Sequence, residues 1–553
     1  MSGNGVSEAG MDAAFDVIVV GSGGSGAPLA ARLSEDPTRR VLVLEAGPAP
    51  RTRREYPPEL LDASTVQGAM PGYPYNWSYL GNLTPDLPYL VARGRILGGS
   101  TALNGAYFIR ATPEDFAVWA EVGGADWEYE AVLPALRRLE RDIAFGDGAL
   151  HGDDGPMPVE RASLTDRLGA AFVDAALELG FAEEPDKNVP GDPGVGPVPS
   201  SLHRGMRWNT ALAYLLPALG RPNLEVRGDA RVARVLVEGG RAVGVELAGG
   251  ERIRAREVVL SAGAIATPQL LMLSGIGPRA DLEAVGVPVI ADLPVGAAFS
   301  DHPDIAVGWR PRVPLGSPAD RAAFPASLNF ASATGDRHAD LEILLSVKSL
   351  GYLLTGSAHP LANGALAALR HPWRTLRALL GVSARRMASQ LAHHDDLQLI
   401  VALQQPEGRG TIRLVSADPE TGPRIDYRYL ETAGDRARMR EALRVAVALL
   451  RSAAFAPLVD RITELDDATL ADDVRLDDWA RAHLGTAIHM CGSAPMGAAG
   501  APGAVVDGHG RVHGVPGLRV ADTSILPTVP SRGPAATAVL IGERMADFIG
   551  RGQ

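Results

Sequence analysis

The chain has 553 residues, too many for a single hydrophobic core, so two domains or one large interleaved pair are expected. A hydrophobic content of 46% excludes a disordered chain, and a net charge of −12 speaks against nucleic acid, which calls for a basic footprint. One cysteine, Cys491, excludes an intrachain disulfide and a cysteine-cluster metal site and suits a reducing cytoplasm.

The first 14 residues are polar, carry acids and have no basic stretch, so they read as a frayed tail rather than a secretory signal. No uninterrupted run of about 18 apolar residues occurs, and no membrane-spanning helix is expected. The organising stretch follows. Val17, Ile18, Val19 and Val20 form an apolar, β-branched run that reads as a buried parallel strand. Gly21, Gly23 and Gly26 come next in G-x-G-x-x-G spacing, leading into an Ala-rich helix. The first glycine allows the tight turn, the second lets a pyrophosphate approach the backbone, and the third lets helix pack on strand. The helix start then offers free N–H groups and a positive dipole end to phosphate. A second strand, Arg40 to Leu44, ends at Glu45, where an acid would bind a ribose hydroxyl. The acid favours an unphosphorylated ribose, hence FAD or NAD over NADP.

Residues 51–92 show little periodicity and read as a long excursion over the first domain. In GRILGGSTALNGAYFIR, Gly98, Gly99, Ser100 and Asn104 form a second phosphate- or ring-contacting loop; Ser100 also reads as a helix cap. Residues 113–140 read as surface helices, and the Gly/Pro-rich turn at 151–161 as a domain crossing. The loop with His203, Arg204, Arg207 and Asn209 reads as a solvated connection rather than a substrate-contacting lid. Strands with alternating valines then turn at Gly239-Gly240. Residues 257–278 read as a buried strand, a small-residue turn at Gly263 and Ala264, and an apolar helix. Asp301 and His302 read as a structural corner, because two adjacent side chains converge poorly on one metal ion. Strands at Leu341 to Val347 and Leu397 to Leu403, two more within 409–430 and a helix from Asp435 to Leu450 suggest a second domain on a sheet. The basic stretch 364–394 reads as a solvated helix face, with a membrane surface or electron acceptor as the alternative partner. His393 to Asp396 read as polar surface rather than a metal site.

From about Asp16 to the C-terminal helix these motifs resemble the glucose–methanol–choline (GMC) oxidoreductases, which are FAD enzymes. The resemblance implies an α/β FAD-binding, Rossmann-like domain interleaved with an α+β substrate domain built on an antiparallel sheet. The FAD domain would take 15–155, 220–303 and 481–553, and the substrate domain 156–219 and 304–480. It places Gly98, Gly99 and Asn104 on the FAD, Val232 at the adenine through its backbone, and Asp522 at the family's aspartate. Leu103 stands where some members carry a flavin-linking histidine, so the FAD is expected to be dissociable. HMCGSAPMG matches the family's active-site block through His489, Gly492, Ser493, Met496 and Gly497. His489 is therefore the expected general base: alcohol oxidation must remove a hydroxyl proton as well as a hydride. One departure matters. The family's second active-site His or Asn precedes a proline, and here that position is Gly533, beside Arg532. Arg532 could swing in, bind an acidic substrate as a bidentate fork, or be a surface arginine.

The expected activity is oxidation of a small primary or secondary alcohol, with electrons leaving to an unidentified, non-oxygen acceptor. FIRATPEDFAVW and HGDDGPMPVER are similar to mycofactocin-linked members, whose alcohol is a peptide-derived redox cofactor. The gap at Gly533 also admits a non-redox lyase of hydroxynitrile-lyase type, and the basic stretch a membrane- or partner-docking flavoprotein. A cytoplasmic protein, with peripheral membrane contact through 364–394 as a variant of that reading, is expected.

Overall fold

The structure, a computed structural model, describes residues 14–313, 315, 322–334, 338–356 and 392–553. Strand β1 (Phe15–Val20) lies in the middle of a seven-stranded sheet. Its parallel neighbours are β2 (Val41–Leu44) and the strand Arg252–Leu260. Leu224–Arg227 extends the sheet beyond β2, and Leu518–Val520 lies parallel to the end of Arg252–Leu260. Strands covered on both faces need apolar side chains on both, which is why Val17 to Val20 and Val41 to Leu44 are continuous hydrophobic runs, all buried. The sheet finishes with the antiparallel strands Arg241–Leu247 and Val232–Glu238, turning at Gly239 and Gly240 as expected. All parallel strands point the same way, so Gly21, Glu45, Ser261 and Asp522 gather at one end, where open α/β sheets bind ligands.

Helix α1 (Gly26–Leu33) packs against the C-terminal helix Ala535–Gly550. A buried carboxylate, Glu543, ties the layer together. It accepts from Arg32 Nε at 3.0 Å, Arg138 Nε at 2.8 Å and the Tyr214 hydroxyl at 2.8 Å. Three donors from three distant segments compensate the cost of burying its charge.

The second large sheet is antiparallel throughout. Its order is Val459–Ile462, Pro303–Pro311, Leu397–Leu403, Leu341–Leu345, Ala326–Phe330, Val195–Pro197, with Leu484–Thr486 also on Pro303–Pro311. Its register aligns Asp304, Ala402, Glu342 and Asn329 in one row across four strands. Helix Ala433–Arg451 covers this sheet.

Two readings of the chain are corrected. Thr411–Arg413 and Arg424–Asp426 do not join the large antiparallel sheet; they pair with Tyr79–Thr84 and Leu87–Val91 from the 51–92 excursion. Asn82 Nδ2 donates to Asp426 Oδ1 at 2.9 Å across that junction, a long-range pairing that periodicity could not reveal. The loop around Arg207 is solvated only in part: Arg204 is exposed and His203 half-buried, but Arg207 and Asn209 are buried, and the Arg207 guanidinium donates to the Leu60 and Thr65 carbonyls. The basic stretch 364–394 lies outside the described residues except for 392–394, where His393 Nδ1 meets Asp396 Oδ2 at 2.9 Å.

The turn at 151–161 carries more than a crossing. His151 Nδ1 lies 2.8 Å from Glu140 Oε1, and Nε2 lies 2.8 Å from Asp186 Oδ2. Arg110 pairs with Glu140, and Arg161 with Asp142 and Asp186. Glu140, Asp142 and His151 are close enough to hold a metal ion. With both ring nitrogens donating to carboxylates, though, His151 has no bare nitrogen for a metal, and three cations balance three carboxylates. Burial alone would lower the imidazole pKa, but hydrogen bonds to Asp142, Asp186 and Glu140 carry it up to about 10. A folded-state value above the ordinary 6.5 stabilises the fold fully below about pH 6.5, and the effect is lost as pH rises towards about 10. His151→Gln should therefore cost roughly 3 kcal/mol near pH 6. The gap to wild type should close towards pH 10 in urea denaturation, and a gap independent of pH would refute a buried imidazolium.

Candidate active site

A cavity of about 530 Å³ starts at the ends of the parallel strands and runs to the antiparallel sheet. Gly21, Gly23, Glu45, Gly99, Ser100, Asn104, Val232, His489, Asp522 and Gly533 all line it. Residues scattered through the whole chain thus share one space. Gly21 has φ +97°, and a Cβ there would lie 2.4 Å from the Ser261 carbonyl oxygen. Gly99 has φ +53°, and its Cβ would lie 2.7 Å from Gly23 Cα. The two glycine loops therefore meet backbone to backbone, leaving a cradle that side chains would fill. Gly26 and Gly98 stand behind it, outside the lining. A Cβ on Gly26 would strike the Gly21 carbonyl, and one on Gly98 the Asn209 side chain.

Ser100 is not a cap. It sits inside the short helix Gly99–Ala102, and its Oγ accepts from Gly94 N at 3.1 Å. Asn104 Oδ1 accepts from Ala106 N at 3.1 Å, and Leu103 also lines the cavity. Glu45 is buried; its carboxylate accepts from Ser22 Oγ at 2.5 Å and Gly47 N at 2.9 Å, while burial pushes its pKa up. Val232 opens its strand at the same end of the cavity. Asp522 Oδ2 accepts from Gly263 N at 2.9 Å and Thr267 Oγ1 at 2.6 Å, clamping the small-residue turn to the strand end; burial raises its pKa as well.

His489 stands at the far end. Its backbone N donates to Asp301 Oδ1 at 2.6 Å, and the same oxygen accepts from His302 N at 2.8 Å. The preceding Ile488 has φ +64°, unusual for a β-branched residue. Thr486 Oγ1 accepts from its N–H and Arg93 Nη1 donates to its carbonyl, so the strained turn is held from both sides. His302 Nε2 faces the Pro530 carbonyl at 2.9 Å, and His302 Nδ1 faces His489 Nδ1 at 2.9 Å. A carbonyl only accepts, so His302 carries its hydrogen on Nε2. The neutral ring then has a bare Nδ1, and the hydrogen shared by the two rings belongs to His489 Nδ1. His489 Nε2 is left with its lone pair. Both rings are neutral: burial brings His302 down to about 4, and burial, then His302 and Arg93, push His489 well below its ordinary value.

His302 was read as part of a structural corner. Asp301 does make that corner, but His302 reaches His489 across 187 positions. Arg532 neither swings into the cavity nor reaches the surface. It is buried, lies outside the lining, and donates through Nη2 to Glu184 Oε1 at 3.0 Å. Next to it, Asp115 accepts from Ser531 N at 2.9 Å and Ser531 Oγ at 2.8 Å, holding the segment that carries Gly533. Beside Gly533 lies Tyr107, and its hydroxyl meets Glu342, which lines the same cavity; the sequence reading passed over both. A lone acid inside the apolar strand LEILL was the available signal, since a buried carboxylate needs partners.

The GMC oxidoreductase family pattern matches residues 15–304 with its N-terminal part and 406–542 with its C-terminal part. The chain is 39% identical to an uncharacterized GMC-type oxidoreductase of Rhodococcus erythropolis, over 97% of this chain and 98% of that protein. It is 33% identical to an oxygen-dependent choline dehydrogenase of Brucella anthropi, over 97% and 95% of the two chains. Among solved structures, pyridoxine 4-oxidase from Mesorbium loti superposes with a TM-score of 0.83 at 28% identity, covering 97% of this chain and 99% of that one. The chain belongs to the GMC oxidoreductases, FAD-dependent enzymes that act on CH–OH groups.

Proposed function

We propose that the protein is an FAD-dependent alcohol dehydrogenase that oxidises a primary or secondary alcohol, with His489 as general base, and passes the electrons to an acceptor other than oxygen. One observation carries the reading: His489, with a bare Nε2 imposed by His302 and Pro530, lines the same cavity as the glycine cradle. The cradle fits the cofactor, because Gly23 and Gly99 leave room for a pyrophosphate that any side chain would take. Glu45 would hold the adenosine ribose, Val232 the adenine and Asn104 the flavin ring, with Leu103 giving no covalent link. Bound FAD supplies the two-electron acceptor for the carbon-bound hydride.

The chain's own residues then do the following. His489 Nε2 accepts the hydroxyl proton of the alcohol, and the resulting imidazolium keeps its Nδ1 hydrogen bond to the His302 lone pair. His302 thus orients the base much as a carboxylate orients the histidine of a catalytic triad. Asp301 and the braced Ile488 turn fix where His489 starts. Val66, Phe324, Leu344 and Ile400 give the substrate end an apolar wall that excludes water.

The two stretches similar to mycofactocin-linked members do scaffolding work: Asp115 anchors Ser531, and His151 centres the ionic cluster. Their resemblance, rather than these contacts, is the reason a peptide-derived redox cofactor of that type joins simple alcohols in the substrate panel. Anaerobic mixing of the flavoprotein with the panel should bleach the flavin with at least one alcohol; an oxidised spectrum that no compound changes would favour the non-redox lyase reading. On readmission of air the reduced enzyme should stay reduced for many turnovers' time, whereas immediate reoxidation would make it an oxidase. His489→Ala should retain flavin but be reduced about 10²–10⁴-fold more slowly, and an unchanged rate would remove His489 from the reaction. Glu45→Ala should lower the flavin content of the purified protein, and full occupancy would contradict the ribose assignment.

A further inference from the structure

Gly533 offers no side chain to the substrate oxygen, yet the space beside it is filled. A Cβ on Gly533 would lie 2.9 Å from Tyr107 Cδ1, 3.1 Å from Tyr107 Cε1 and 3.5 Å from His489 Cε1. The Tyr107 ring thus stands where a longer residue would project, close to the base. Tyr107, Glu342, His489 and Gly533 all line the cavity. We propose that Tyr107, aligned by Glu342, makes the substrate contact that Gly533 cannot, its hydroxyl hydrogen-bonding the alcohol oxygen while His489 takes the proton. This inference rests on the alcohol-oxidation reading above.

The surroundings suit that role. The Tyr107 hydroxyl donates to Glu342 Oε1 at 2.5 Å. Glu342 also accepts from Asn329 Nδ2 at 3.1 Å and from Gln404 Nε2 at 2.7 Å. When the phenol hydrogen turns to a substrate oxygen, the carboxylate keeps two amide donors and is not left bare. Burial, then Glu342, raise the Tyr107 pKa well above its ordinary value, so the phenol remains a donor. Charge develops on the alcohol oxygen as its proton leaves, and a pre-placed donor is worth most at that moment. Tyr107 keeps its own proton throughout; it changes only the partner of its hydrogen bond.

This arrangement also accounts for Arg532. Its Nη2 pairs with Glu184, and Glu184 Oε2 holds Lys187 Nζ at 2.5 Å. Lys187 Nζ in turn donates to Asn329 Oδ1 at 3.0 Å. Asn329 is thereby fixed with its amide nitrogen on Glu342, which sets the carboxylate that aims Tyr107. Arg532 acts as a positioning residue at the far end of a buried chain of contacts.

The test uses the flavin-loaded enzyme and, as probe, whichever panel alcohol bleaches the wild type fastest, in rapid anaerobic mixing. Tyr107→Phe keeps the ring and should keep the flavin spectrum, but lower the limiting rate of flavin reduction by about 10²-fold with little change in half-saturating alcohol. A wild-type limiting rate, or a loss confined to half-saturation, would overturn the proposal. A swap pair covers the case in which Tyr107→Phe loses its flavin. Gly533→Asn alone collides with the Tyr107 ring, whereas Tyr107→Ala with Gly533→Asn has room for the amide and should be reduced at least tenfold faster than Tyr107→Ala. No gain from the added asparagine would overturn the proposal. If no alcohol bleaches the wild type, the oxidation reading falls and takes this inference with it; normal wild-type bleaching with unaffected variants removes only the inference.

Discussion

The active site depends on a contact between two backbones with nothing between them. Gly23, from the loop after β1, and Gly99, from a loop some 75 residues later, approach so closely that a methyl group on Gly99 would lie 2.7 Å from Gly23 Cα. That closeness opens a cradle at the carboxyl ends of the parallel strands. It also brings the segment carrying Leu103, Asn104 and Tyr107 to the mouth of the sheet. Dispersion and sterics set the shape here; the helix dipole and free N–H groups then give it a preference for phosphate.

Around the cradle, buried carboxylates do the joining. Asp522 clamps the turn at Gly263, Asp301 gathers the backbones of His302 and His489, Asp115 holds Ser531, and Glu543 collects three donors from distant helices and loops. Each would be costly to bury alone, and each is compensated by donors from segments far apart in the chain. These groups are geometric fasteners: they bring distant returns of the chain to one place and hold them there. The neutral His302–His489 pair is their chemical product, because fixing both backbones forces the rings into a single hydrogen-bonding pattern.

The two large sheets divide the chemistry. The parallel sheet presents backbone and small residues to a phosphate-bearing cofactor. The antiparallel sheet presents side chains, with Asp304, Ala402 and Glu342 in one row on the cavity side among apolar neighbours. Gly533 and Tyr107 lie outside that sheet, and the Tyr107 ring packs against the glycine where a side chain would project.

Much of this was legible in the amino-acid order. The run Val17 to Val20, the glycine spacing, Glu45 and the block around His489 identify the parallel sheet, the cofactor and the candidate base, because strand burial, tight turns and phosphate binding are local demands met by neighbouring residues. The tertiary structure decided the rest. The bond from His302 to His489, the Tyr107–Glu342 pair and the burial of Arg207 and Arg532 join residues 147 to 348 positions apart. No periodicity records them: a charged or aromatic side chain looks the same in sequence whether it meets solvent or a partner. Only the packed fold removes water from these groups, and once water is gone each must find a protein partner, which fixes what it can do.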